Sequence, residues 1–130
     1  MENSTQKQRI TNYLQDIYGT EAEHLWTKFP NYSVFRHPLS KKWYGIIMDI
    51  KKDKLGLDGD EPIDIFVIKC SPIMIGSLLN EKGFLPAYHM NKENWITILL
   101  NETVSDDEIL SLVELSFESV APKYKKKKKN

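Results

Sequence analysis

Two short segments hold the residue types with the most chemical potential: FRHPLSKKW at 35–43 and YHMNKENW at 88–95. The first contributes Arg36, His37, Lys41, Lys42 and Trp43. The second contributes His89, Asn91 and Lys92, ahead of Trp95. Lysine and arginine neutralise phosphates and release condensed counterions. Asparagine and arginine can make two-point hydrogen bonds to base edges. An aromatic ring stacks on an unpaired base for roughly 1–3 kcal/mol. Together these are the tools of nucleic-acid contact. The same composition also describes solvated loops followed by tryptophans that pack at strand starts, so residue type alone leaves both readings open. A third basic feature is the run of five lysines at 125–129. It suits either sequence-independent phosphate contact or a solvated tail.

Other chemistry has less to work with. Cys70 is the single cysteine, so no disulfide and no CxxC pair can form within the chain. At the end of an apolar run it reads as a small buried hydrophobe. His24, His37 and His89 are dispersed and fit no metal-ligand spacing. Asp58, Asp60, Glu61 and Asp64 cluster in DGDEPID, which departs from a calcium-loop pattern and reads as a turn. No GxSxG, no phosphate-binding glycine loop and no paired Cys/His motif is present. The expectation is a protein that is not an enzyme and needs neither metal nor cofactor.

The 130 residues suit one domain, and 41% hydrophobic with 28% charged residues suits a soluble globular chain. The formal charge of zero conceals an asymmetry. Five of the 18 basic residues lie in the lysine run, so the other 13 face 18 acidic residues. The body is acidic and the end basic, which confines any phosphate grip to a local patch or to the tail. The polar start MENSTQKQR lacks a signal-peptide core, and apolar runs are too short for a membrane span. Together with the lone cysteine, this gives an expectation of cytoplasmic localisation and no membrane partner.

The elements that must position the two basic segments follow from periodicity. Residues 5–18 read as a helix whose buried face is Ile10, Tyr13, Leu14 and Ile17, closed by Gly19. Strands are expected at 25–29 and 32–36, then a loop at 37–42. A further strand would place Tyr44, Ile46, Met48 and Ile50 on one face. Residues 51–62 connect. Ile63 to Cys70 reads as an interior strand, and Ser71-Pro72 starts a short helix with Ile73, Met74, Leu78 and Leu79 inward and Gly83 at its close. A loop near 85–92 precedes a strand at 94–100. Ser105 and Glu108 form a capping box for a helix whose inner face is Ile109, Leu112, Val113, Ser116 and Val120. Helices do not alternate regularly with strands. The expected class is α+β, a two-layer sandwich with helices on one face of an antiparallel sheet, over residues 1–122. Residues 123–130 would be a disordered basic tail.

Three strings in this order, FPNYSVFRHPLSKKWYGIIMDI (29–50), IDIFVIKCSP (63–72) and GFLPAYHMNKENWITILL (83–100), resemble the MmcQ/YjbR family of small bacterial proteins. The resemblance runs from about Phe29 to Ser119. It implies a CyaY-like fold and a DNA-binding role through two loops that project from the sheet as a pair of wings, at 37–42 and 87–92. On that reading Arg36, Lys41, Lys42 and Lys92 position phosphates, while His89 and Asn91 approach bases; His37 and Trp43 complete the first wing. The resemblance implies no catalytic residues. The alternative partner is another protein, with the sheet and loops serving as an adaptor surface.

Overall fold

The computed structural model describes residues 4–123, so the lysine run at 125–129 lies outside the described residues. The elements are α1 (Gln6–Tyr18), β1 (Ser33–Arg36), β2 (Trp43–Lys51), a 3-10 turn (Lys52–Leu55), β3 (Pro62–Lys69), α2 (Pro72–Leu78), β4 (Phe84–Pro86), β5 (Trp95–Leu99) and α3 (Asp106–Ser119). The five strands form one antiparallel sheet in the order β1-β2-β3-β5-β4. β3 sits at its centre, which explains why Ile63–Ile68 is apolar on nearly every residue.

All three helices contribute to the core on one face of the sheet. Ile10 and Leu14 of α1, Ile75 and Leu78 of α2, and Ile109, Leu112 and Val113 of α3 pack against Phe35, Ile47, Phe66, Ile96 and Ile98. The fold is therefore the expected α+β sandwich. The opposite face carries Val34, Ile46, Met48, Ile50, Ile65, Val67 and Leu99. Among the described residues no α-helix contributes to that cluster; loop residues, Leu55 of the 3-10 turn and Leu85 of β4 fringe it.

Each helix starts as its sequence requires. Thr5 and Gln8 close a complete capping box on α1, and Gly19 ends the helix at φ 65°. Ser71 caps α2 and Ser105 caps α3. The reciprocal Glu108 bond expected at Ser105 does not form; only the Ser105 hydroxyl accepts, from the Glu108 N–H at 3.1 Å. Asp106 has other work. It accepts from Arg9 at 2.8 Å and from Gln6 at 2.8 Å, joining the first turns of α1 and α3. The Arg9 guanidinium holds the Asp106 carboxyl below its usual value.

Several local expectations are corrected. Ile17 and Ile73 are exposed rather than inward, and Leu79 is largely so, because α1 and α2 each bury a narrower stripe than the sequence pattern suggests. α2 ends at Leu78, and Gly83 at φ 93° instead leads into β4, a short strand absent from the sequence reading. Residues 25–29 form no strand. Only Glu23 bridges to Val34, and the chain then turns, with the Phe29 N–H donating to the Trp26 carbonyl at 3.1 Å. Pro30, with no N–H to offer, follows at once.

The most consequential correction is at Tyr44. Arg36 pairs with Trp43 but Phe35 pairs with Gly45, so Tyr44 is the extra residue of a β-bulge. The bulge turns Tyr44 into the helix-covered core, away from Ile46, Met48 and Ile50. Ser116 of α3 donates to the Tyr44 carbonyl at 2.7 Å. Gly45 is required beside it: a Cβ there would lie 2.5 Å from Phe66. Trp43 is thereby left on the open face.

Candidate nucleic-acid interface

The strand register fixes where the two basic segments emerge. Arg36 faces Trp43, Lys69 faces Trp95, and Pro86 faces Ile96. The β1–β2 loop and the β4–β5 loop therefore leave the sheet at the same end. Three interstrand spacings separate the two hairpins, about 14 Å.

The predicted residues meet different fates. In the first loop, Lys41 and Lys42 are exposed, and neither makes a salt bridge among the described residues. Lys41 stands at φ 67°, held by its N–H donating to the His37 carbonyl at 2.9 Å. Arg36 is engaged: its Nε donates to Glu23 at 3.1 Å and its guanidinium lies 5.9 Å from the Trp43 ring centre. His37 is 5% exposed. Its ring stacks on Phe117 at 4.3 Å, and its Nδ1 accepts from the backbone N–H groups of Leu39 and Ser40 at 3.1 and 3.4 Å. The expected base or phosphate contact by His37 is thus corrected to a structural role, because the ring shapes the loop from inside.

The second loop reverses this pattern. His89 is exposed at φ 57°, its ring parallel to Tyr88 at 4.1 Å. Lys92 folds back, donating to the Ala87 carbonyl at 2.9 Å. The Asn91 side-chain oxygen accepts from the Glu93 N–H at 2.8 Å, an Asx turn that leaves its amide nitrogen free of intraloop acceptors. The loop also leans across the open face: the Tyr88 N–H donates to Thr97 Oγ1 at 3.0 Å, and Tyr88 and Met90 pack on the sheet.

That lean creates a groove of about 640 Å³ on the open face. Its floor is Ile46, Met48 and Ile50 of β2. One wall is Trp26, Phe29, Tyr32 and Trp43; the other is Tyr88, His89 and Met90. The first wall is a continuous aromatic assembly. Phe29 stacks on Tyr32 at 4.8 Å, and Trp26 meets Tyr32 and Trp43 edge-on at 5.8 and 6.1 Å. Burial raises the Tyr32 phenol above its ordinary pKa, with Tyr88 and Asp49 adding to the effect. Lys28, Lys51 and Lys54 also line the groove, while Asp49, its single carboxylate, accepts from Asn31 at 3.1 Å. Sequence reasoning missed this wall because Leu25-Trp26-Thr27-Lys28-Phe29 has strand composition. The available signal was Pro30-Asn31, which marks the turn.

Among the described residues no group of three His, Cys, Asp or Glu side chains is placed to hold a metal ion. None of the described helices is long and apolar enough to cross a membrane. Cys70 is half-buried, and burial raises its thiol above the ordinary value, which disfavours the reactive thiolate.

The YjbR family model matches residues 15–119, a span that includes every strand and both loops. The chain belongs to the YjbR family. It is 45% identical over 111 residues to the uncharacterised protein YyaQ of Bacillus subtilis (strain 168), covering 85% of this chain and 94% of that one. A Pseudomonas syringae protein of known crystal structure is 46% identical, with a TM-score of 0.85 over 88% of this chain and 97% of that one. The Deinococcus radiodurans protein DR2400, at 21% identity and TM-score 0.65 over 88% and 81% of the two chains, shares the YjbR fold.

Proposed function

We propose that this YjbR protein is a cytoplasmic, non-catalytic DNA-binding protein that holds nucleic acid at the sheet end where the two loops emerge. The observation that carries this reading is the pairing of free cations with a shared direction. Lys41 and Lys42 are exposed without a salt bridge among the described residues, and the second loop, with exposed His89 and Asn91, leaves the same end about 14 Å away. A local positive patch on an otherwise acidic body directs a polyanion to one place. The working set is narrower than the eight candidate residues: Lys41 and Lys42 for phosphates, His89 and Asn91 for bases, and Trp43 at the groove wall.

The test is fluorescence anisotropy of a labelled random duplex in 50 mM salt. The full chain and a version ending at Tyr124 are compared with a Lys41→Glu, Lys42→Glu, Lys92→Glu triple variant. The expected result is binding that weakens at least tenfold in the triple variant and falls steeply with salt in the wild type. Affinity that disappears with the lysine run alone would move the contact away from the loops. A wild type without affinity for DNA in 50 mM salt would end the reading.

A further inference from the structure

The open-face groove gives the proposed function a more specific ligand. We infer that it receives unpaired nucleobases, so that the preferred nucleic acid is single-stranded. This inference rests on the DNA-binding reading and deepens it.

Three observations converge. First, the walls offer ring faces from both sides. Phe29, 48% exposed, lies nearly parallel to Tyr32 with an interplanar angle of 13°. The exposed His89 lies parallel to Tyr88 at 6°. The outer faces of these pairs are the natural seats for a flat ring, and only an unpaired base has a face to give, since bases in a duplex are stacked on their neighbours. Second, the charge is right for a phosphate chain. Lys28, Lys51 and Lys54 surround a hydrophobic floor, and the one lining carboxylate is occupied by Asn31. An apolar peptide has no use for three lysines there. Third, the groove is continuous with the loops. Trp43 directly follows Lys42, and His89 belongs to the second loop. A strand held by Lys41 and Lys42 passes directly onto the aromatic wall. The groove volume falls within the range of small-ligand sites, enough for bases presented singly.

The experiment uses the full chain and three labelled probes: a ten-residue oligothymidine, an abasic oligomer of the same length, and a hairpin duplex. Anisotropy in 50 mM salt is read beside intrinsic tryptophan emission, which reports on Trp26 and Trp43 at the groove over a background from buried Trp95. Oligothymidine is expected to bind at least tenfold more tightly than the abasic oligomer and to quench tryptophan emission. The double variant Phe29→Ala, His89→Ala removes two exposed rings and should erase that advantage. Because both side chains are exposed, folding is expected to persist; an unchanged thermal transition checks it. If the variant does melt early, wild-type quenching by oligothymidine and not by the abasic oligomer decides the matter. Equal affinity for oligothymidine and the abasic oligomer would overturn the base-stacking inference and leave charge-driven DNA binding intact. Loss of binding to all three probes would instead remove the proposed function itself.

Discussion

The two loops at one end of the sheet have similar composition and opposite construction. In the β1–β2 loop the histidine is internal and the lysines are free. In the β4–β5 loop the lysine, though exposed, is tied to the loop's own backbone and the histidine is free. His37 fills the space above Phe117 and accepts two backbone N–H groups. Lys92 performs the equivalent task at the other loop by reaching the Ala87 carbonyl. Of its histidine and lysine, each loop therefore commits one residue type to its own shape and presents the other. The lesson is that a loop's chemical inventory does not reveal its outward face; the hydrogen bonds that close the loop decide which residue is left over.

The largest separation between the loops should appear in stability. His37→Ala removes a buried stacked ring and leaves two N–H groups without an acceptor, a loss of about 3 kcal/mol. His89→Ala removes an exposed ring and should stay within about 0.5 kcal/mol. Urea unfolding of both variants measures the contrast. Equal losses would mean that the second loop is as deeply tied to the core as the first.

A slightly smaller effect tests the support beneath the first loop, where Tyr44 packs edge-on against Phe117 at 5.1 Å. Burial pushes the Tyr44 phenol up to about 12 from 10. A phenol raised on folding gives its full stabilisation below pH 10, and that contribution drains away as pH rises toward 12. Two units correspond to about 2.7 kcal/mol. Unfolding midpoints measured from pH 9 to 11.5 should fall more steeply in the wild type than in Tyr44→Phe. Parallel curves would assign the alkaline loss to other groups.

The fold was largely legible because its signals are local or periodic. Ser71-Pro72 and Ser105 mark helix starts, and the Ile63–Ile68 run marks a central strand, each without any long-range information. The candidate interface was legible only in part. Lys41, Lys42, His89 and Asn91 stand exposed, yet nothing adjacent to His37 announces Phe117, 80 positions along, as the ring that captures it. Glu23 likewise claims Arg36 through a bridge that sequence spacing does not encode. The Tyr44 bulge breaks the period-two pattern on which face assignments depend, and the aromatic wall at 26–32 hides behind strand-like composition. What escaped is what requires two distant segments to meet.

The next contrast concerns binding. Lys41→Gln removes one free cation from the first loop. Its duplex affinity should fall severalfold, and the slope of log affinity against log salt should shrink by about 1. The measurement is anisotropy across 50–200 mM salt. An unchanged slope would mean that Lys41 contacts no phosphate, and the first loop would lose its claim to a grip.

The smallest effect is the one that tests the second loop most directly. Lys92→Met keeps the aliphatic stem and deletes the ammonium group that meets Ala87. If that bond is the resting task of Lys92, the ammonium contributes to loop shape and little to DNA. Affinity should then change by less than twofold, and the salt slope should stay at its wild-type value. A slope reduced by about 1, matching Lys41→Gln, would show that Lys92 abandons the carbonyl when DNA arrives. The two loops would then differ only in the unbound protein, and both would close on the phosphate chain with lysine.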